Sequence, residues 1–299
     1  MDSSHDRLCE GRVCLITGAG RGIGREHALM LAEHGAAVVV NDLGAAVDGQ
    51  GADAGPAQAV VDEIEARGGA AVANTDDIST LDGARRLVDQ AVEAFGGLDV
   101  VVNNAGILRD RMLVNMSEEE WDSVIRVHLR GTFAPSRVAA VYWRDRSKAG
   151  ERNDARIINT TSASGLWGNV GQVNYGAAKA GIAAFTVIAA RELGRYGVTV
   201  NAIAPGALTR MTQNLGIDET RRANLDPRWI APLCTWLAST ASAGVTGQVF
   251  EASGERLAIA EGWHRGPAVT PVADPGEVDA VVRRLLAEAR PHATMADPA

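Results

Sequence analysis

Six runs along the chain stay apolar at nearly every consecutive position instead of alternating with polar residues: 13–16, 36–40, 70–73, 99–102, 156–159 and 198–204. Such runs predict strands buried on both faces, because a strand with one wet face would alternate. Between them lie longer segments of helical period, 23–34, 58–67, 81–95, 118–144, 175–196 and 227–238. Gly35, Gly68 and Gly97 stand where helices end in a left-handed turn. A last strand is expected through 248–251. Strand, crossover helix, strand, repeated, gives an α/β fold with a doubly wound parallel sheet, since the crossover is right-handed in nearly every case. Ligands of such sheets sit outside the carboxyl ends of the strands.

Composition adds bounds. The 299 residues are 46% hydrophobic and 22% charged, which suffices for a large core, and no Pro/Ser-rich linker or charge block divides them, so a single domain is expected. A net charge of −8 with scattered arginines argues against nucleic acid as a partner. The N-terminal stretch MDSSHDRLCEGR carries acids and lacks the apolar centre of a signal peptide. The longest largely apolar stretch, 180–190, falls short of the ~18–20 residues of a membrane span. A soluble, cytoplasmic protein is the expectation. Cys9, Cys14 and Cys234 are odd in number and lack C-x-x-C spacing, and no H-E-x-x-H occurs, so no metal site is expected.

Chemistry gathers just after the strands. LITGAGRGIGREHA joins the first strand to the first helix through Gly18, Gly20, Gly22 and Gly24, with Arg21 and Ile23 between them. Glycines permit a tight turn, and a helix N-terminus offers unpaired N–H groups to a pyrophosphate. Asp42 follows the second strand, where an acid accepts from both ribose hydroxyls and repels a 2′-phosphate; NAD is therefore expected over NADP. Arg21 pulls the other way, as a cation that suits the phosphorylated cofactor. Asp77 and Ile78 after the third strand are placed to frame an adenine, and Asn103, Ala105 and Gly106 after the fourth to line the cofactor near its ribose. Asn104 reads equally as a structural cap.

Tyr175 and Lys179 stand four apart in a run of small residues, which puts a phenol and an ammonium on one helix face. A cation within ~4–6 Å favours phenolate and would make the pair an activated acid/base. In isolation the same spacing also fits a core tyrosine beside a solvated lysine.

Taken in order and spacing, TGAGRGIG at 17–24, NNAG at 103–106, Ser162, YGAAK at 175–179 and NAIAPG at 201–206 resemble the short-chain dehydrogenases/reductases. The resemblance covers 11–250 and implies a Rossmann-like sheet of seven strands in the order 3-2-1-4-5-6-7. It implies that Ser162, Tyr175 and Lys179 are catalytic: Tyr175 as acid/base, Ser162 on the substrate oxygen, and Lys179 on the phenol and the nicotinamide ribose. Ser164 fits local spacing but not the family's distance to Tyr175. Pro205, Gly206 and Thr209 would cover the cofactor. One position departs from the pattern, since His128 stands where the family has an asparagine that helps to hold a relay water.

A narrower likeness rests on VVVNDLG, the Gly/Ala/Asp insert 44–56, VHLRGTF and IAPGALTRMT. These are similar to the (3R)-hydroxyacyl-CoA dehydrogenase part of peroxisomal multifunctional enzyme type 2, also called 17β-hydroxysteroid dehydrogenase type 4, and to actinobacterial hydroxysteroid or hydroxyacyl-CoA dehydrogenases. They imply NAD-dependent oxidation of a secondary alcohol on an acyl-CoA or a steroid derivative, by a homodimer or homotetramer. The rival readings are an NADPH-dependent 3-oxoacyl carrier-protein reductase, which Arg21 permits, and a non-catalytic dinucleotide sensor, which has no need of all three triad residues. The dehydrogenase domain is expected over 1–266, with 267–299 as a tail of unassigned role.

Overall fold

A computed structural model describes residues 7–44, 54–207 and 223–295. Its strands are β1 (Val13–Thr17), β2 (Ala37–Asn41), β3 (Ala70–Asn74), β4 (Val100–Asn103), β5 (Ala155–Thr160), β6 (Val198–Pro205), β7 (Val249–Ala252) and β8 (Leu257–Ile259). They form one sheet in the order β3-β2-β1-β4-β5-β6-β7-β8, parallel except for the antiparallel pair β7–β8. The seven expected strands take the expected order, and β8 is an addition at the edge. It folds back through a turn in which Ser253 accepts from Glu255 and Arg256 amides. Three half-exposed or exposed residues carry too little hydrophobic pattern to announce such a strand.

Successive residues of the inner strands enter opposite cores. Cys14, Ile16, Val38, Val40, Val100 and Val102 pack on one side, whereas Val13, Leu15, Val39, Val101 and Ile157 pack on the other. The first core is closed by helices α1 (Gly22–Glu33), α2 (Gly55–Ala66) and α8 (Ala231–Ala238); the second by α3 (Leu81–Phe95), α5 (Gly131–Lys148) and α7 (Val173–Leu193). Between them in sequence lie α4 (Glu118–Ile125), which starts at a Ser117–Glu120 capping box, and the short α6 (Ala163–Trp167).

Several helical expectations are corrected. The segment expected as one helix over 118–144 is interrupted by a π-turn, Arg126–Arg130, and then runs on to Lys148. The turn carries His128 into the protein, and a Cβ at Gly131 would collide with Ile78. Helix α3 ends on Gly96 (φ 81°) and not on Gly97. By length and composition alone 173–196 would qualify as a membrane span, contrary to the reading of 180–190, but this helix packs along β6 and α6 and buries Lys179. A further helix, α9 (Pro275–Glu288), lies beyond residue 266 and buries no residue.

At the amino end of the sheet, two buried arginines converge on Asp154. Arg12 reaches its Oδ2 at 3.0 Å, Arg156 its Oδ1 at 2.5 Å, and Arg156 also donates to the Ser239 carbonyl at 3.2 Å. Burial alone would raise the Asp154 carboxyl, but Arg156 and then Arg12 hold it below the usual carboxylate range. A depressed acid contributes stability above its unfolded pKa and loses it as pH falls through the folded one. Asp154→Asn should therefore lower stability in urea unfolding at neutral pH by stranding buried guanidinium charge. The loss should be less than the ~3–5 kcal/mol of a fully buried pair, because the carboxylate is half exposed to solvent. The gap to wild type should narrow below about pH 4 as the wild-type carboxyl protonates.

Candidate active site

The glycine loop follows β1 directly. Gly18 (φ 64°) and Gly22 (φ 54°) take left-handed conformations. A Cβ on Gly18 would lie 2.7 Å from the Ala105 Cα, so the loop and the segment after β4 touch backbone to backbone. Thr17 and Asn104 lock that contact. Thr17 Oγ1 accepts from the Asn104 and Ala105 amides at 3.0 and 3.1 Å, and Asn104 Nδ2 donates to the Thr17 and Gly18 carbonyls, both at 3.0 Å. Helix α1 starts at Arg21 with no side-chain cap and no acid in its first turn, which leaves amides of that turn available to an anion. This fits the phosphates of a dinucleotide.

Asp42 stands at the end of β2, half-buried. Its Oδ2 accepts from the Gly20 amide at 2.8 Å and its Oδ1 from the Gly44 amide at 2.7 Å, which aims the carboxylate at the glycine loop. A shallow cleft beside it is lined by Gly20, Arg21, Arg25, Pro56 and Glu63. Arg25 is held there by Glu26 and Glu63 at 2.6 and 2.5 Å. Farther along the crevice, Asp77 Oδ1 accepts from the Ser79 amide at 2.8 Å, and Ile78 is buried against Gly131. The Asn103 side chain turns into the protein at the end of β4. Its Nδ2 donates to Ser136 at 2.9 Å and to Asn159 at 2.8 Å, inside the sheet–helix interface. The Gly206 N–H, next to Pro205, donates a hydrogen bond to the Ala252 carbonyl at 2.8 Å, while Thr209 lies outside the described residues.

Ser162, Tyr175 and Lys179 come together. Ser162 ends the turn after β5 in an extended conformation and caps α6, accepting from the Ser164 amide at 3.2 Å. Helix α6 lies against α7 so closely that a Cβ on Gly165 would meet the Ala180 nitrogen at 2.6 Å. That approach brings the Ser162 hydroxyl within hydrogen-bonding influence of the Tyr175 phenol. Lys179 is 2% exposed and donates through Nζ to the Thr160 carbonyl at 2.5 Å. An ammonium has three donors. The remaining capacity of Lys179 suits ribose hydroxyls at the floor of the crevice.

The electrostatics correct one expectation. Burial pushes the Tyr175 phenol above 10; Ser162 opposes the shift and Asp110 adds to it. Lys179 lies over the ring, 5.5 Å from its centroid, and burial brings its own ammonium down to about 7. In the protein alone the lysine therefore does not lower the phenol, because desolvation acts on both groups. His128 packs edge-on against Tyr175, with ring centroids 5.1 Å apart. Its Nε2 lies 3.0 Å from the Ile107 amide and 2.8 Å from the Ile107 carbonyl, and Nδ1 has no partner among the described residues. Gly106 is the small residue that leaves room for this ring.

Sequence reading passed over Asp110, Gln172 and Asn174, which surround the start of α7. Gln172 was detectable in principle as an N-cap residue of a type that rarely caps.

A family model described as short chain dehydrogenase matches residues 12–220. The chain is 47% identical to the hydroxyacyl-CoA dehydrogenase ChsB1 of Mycobacterium tuberculosis, over 93% of this chain and 89% of that one. It is 44% identical to the mouse (Mus musculus) peroxisomal multifunctional enzyme type 2, over 85% of this chain but only 32% of the longer mouse protein. A crystal structure of a short chain dehydrogenase from Mycobacterium avium superposes with a TM-score of 0.87 at 53% identity, covering 96% of this chain and 98% of the other.

Two histidines give this architecture an acid limit. Burial lowers His27 on α1 to about 3, and burial, with a smaller push from Lys179, lowers His128 to about 3, against 6.5 in an unfolded chain. Both fold neutral, so the stability they support is present above pH 6.5 and lost as pH falls toward 3. Urea unfolding should show a slope of up to about 1.4 kcal/mol per pH unit from each histidine in that window. His128→Asn should remove its share of the slope.

Proposed function

The chain belongs to the short-chain dehydrogenase family and is an oxidoreductase that interconverts a secondary alcohol and a ketone; on that premise we propose that it oxidises a (3R)-3-hydroxyacyl-CoA or a steroid-derived hydroxyacyl-CoA with NAD. The observation that carries the reading is the convergence of Ser162, Tyr175 and Lys179 in a desolvated crevice beside an uncapped helix N-terminus. Similarity to ChsB1 across nearly the whole chain supports the acyl-CoA substrate. Asp42 supports NAD, because its carboxylate faces the glycine loop where a 2′-phosphate would meet it as a like charge.

Bound NAD supplies the hydride acceptor. The protein supplies proton transfer, orientation and exclusion of water. Tyr175, once ionised, takes the proton of the substrate hydroxyl, and Ser162 hydrogen-bonds the same oxygen as it becomes a carbonyl. Lys179 stays fixed by Thr160 and directs its other donors to the cofactor ribose. The first-turn amides of α1 hold the pyrophosphate, and Asp42 holds the adenosine ribose. Ser164 is held by Gln172 at 2.8 Å and is occupied there, which leaves the substrate oxygen to Ser162. Assembly as a homodimer or homotetramer belongs to the same reading and rests on the family resemblance.

Tyr175→Phe deletes one oxygen and leaves packing nearly intact, so turnover should fall ~10²–10⁴-fold while NAD affinity, titrated by tryptophan fluorescence, barely moves. Substantial activity in the folded variant would reduce Tyr175 to a helix residue.

For the substrate and cofactor, initial rates with a 3-hydroxyacyl-CoA should exceed those with the same alcohol lacking CoA, since remote binding energy orients the reacting carbon. Asp42→Ala should narrow the preference for NAD over NADP. Equal specificity constants with and without CoA would remove the acyl-CoA assignment, and an unchanged cofactor preference would move discrimination to Arg21.

A further inference from the structure

The short segment between β4 and α4 is tied to the start of the helix that carries Tyr175, and the ties use side chains that no step of the reaction employs. Asn174 is fully buried, at 0% exposure, immediately before the tyrosine. Its Nδ2 donates to the Arg109 carbonyl at 2.9 Å and to the Glu120 carbonyl at 3.0 Å, and its Oδ1 accepts from the Tyr175 amide at 2.7 Å. Two residues earlier, Gln172 holds the N-cap position but makes no capping bond. Instead its Nε2 donates to Asp110 Oδ2 at 2.7 Å, while its Oε1 accepts from Ser164 Oγ at 2.8 Å and from Asn169 Nδ2 at 2.9 Å. A backbone bond from the Arg111 amide to the Gly171 carbonyl at 2.8 Å runs beside these contacts.

Every hydrogen-bonding atom of the Asn174 amide group is thus engaged, and the Gln172 amide joins three segments: the one after β4, the turn that holds Ser162, and the first turn of α7. We infer that residues 109–111 form a positioning element that fixes the Tyr175 phenol relative to Ser162, acting through Asn174 and through the Asp110–Gln172 hydrogen bond. The inference rests on the reading of Tyr175 as the acid/base. It assigns Asp110 a second effect, because a carboxylate bonded to the N-cap residue of the Tyr175 helix disfavours the phenolate.

Among the described residues, the other groups near the phenol are few. Lys179 lies on its own helix, and His128 on the π-turn stays neutral. Ser162 contributes a hydroxyl. Glu120 of α4 is paired with Arg111 at 3.0 Å, whereas α6 and β6 carry no titratable side chain. Asp110 is therefore the acid whose removal should be felt at Tyr175.

The test uses the full-length protein and the alcohol substrate on which wild type is active, with NAD. Asp110→Ala should lower kcat about tenfold through misplacement of the phenol. The KM for NAD should move little, and the alkaline rise of kcat should shift to lower pH. Asp110→Asn removes the charge but keeps an acceptor for Gln172; it should shift the rise in the same direction and retain more turnover than Asp110→Ala. Asn174→Asp keeps the acceptor for the Tyr175 amide and loses the donors to Arg109 and Glu120, so it should lower kcat as well; should it fail to fold, the exposed Asp110 variants still decide. Thermal unfolding of each variant separates positioning from stability. An unmoved alkaline rise in both Asp110 variants, or wild-type kcat in Asp110→Ala, would overturn the inference. Tyr175→Phe keeps the two readings apart: if it is inactive while Asp110→Ala behaves as wild type, only the positioning element is lost, and if it is active the acid/base reading fails first.

Discussion

A parallel sheet covered on both faces buries the polar side chains at the ends of its central strands, and their partners come mainly from neighbouring strands. Asparagines make such pairs. Asn41 and Asn74 are register partners on β2 and β3 and hydrogen-bond each other at 2.7 Å. Asn103 and Asn159 do the same on β4 and β5 at 2.8 Å, and Asn159 continues to Thr186 on α7 at 2.9 Å. Thr17 and Asn104 complete the series between β1 and β4. These bonds tie neighbouring strand ends together from β1 to β5, where the loops of the glycine turn, Asp42, Asp77 and Ser162 begin. A buried amide without its partner costs about 1–3 kcal/mol, which is why the crevice floor is rigid before any ligand is considered.

Desolvation then decides the chemistry. The same enclosure that makes Lys179 a weaker cation makes Tyr175 a weaker acid and His128 a neutral ring. A surface Y-x-x-x-K pair would have neither property, because water would screen it. The phenol of the protein alone is poised toward its neutral form, and positive charge or hydrogen bonding that arrives with ligands acts on it in a low-dielectric site, where such effects are large. The Ser162 hydroxyl already acts in that direction, opposing the upward shift that burial imposes.

His128 shows how a departure from a family pattern is accommodated. The imidazole sits on a π-turn, close against Gly106, where a Cβ would collide with the ring, and its Nε2 is seated against the backbone of Ile107. The ring thereby braces the segment after β4 against the helix of Tyr175. Neither a proton-relay water nor a charge is required for that part.

Local spacing by itself determined a good deal. Uninterrupted apolar runs identified the strands because each inner strand has two dry faces, and glycines at 18, 20, 22 and 24 marked a loop where side chains do not fit. Asp42 stood out because it directly follows a strand, and Tyr175 with Lys179 because they share one helix face, whereas Ser162 was picked out only through the family resemblance. Tertiary structure alone decided the rest. The side chain of Asn103 pairs with Asn159 of a neighbouring strand, and the helix from 118 gives way at 126 to a π-turn that carries His128 into the interior. Likewise, the direction of the Tyr175 shift depended on how much water the folded crevice excludes. Whether a polar group faces a ligand, a neighbouring strand or solvent depends on partners distant in the sequence, and periodicity carries no information about them.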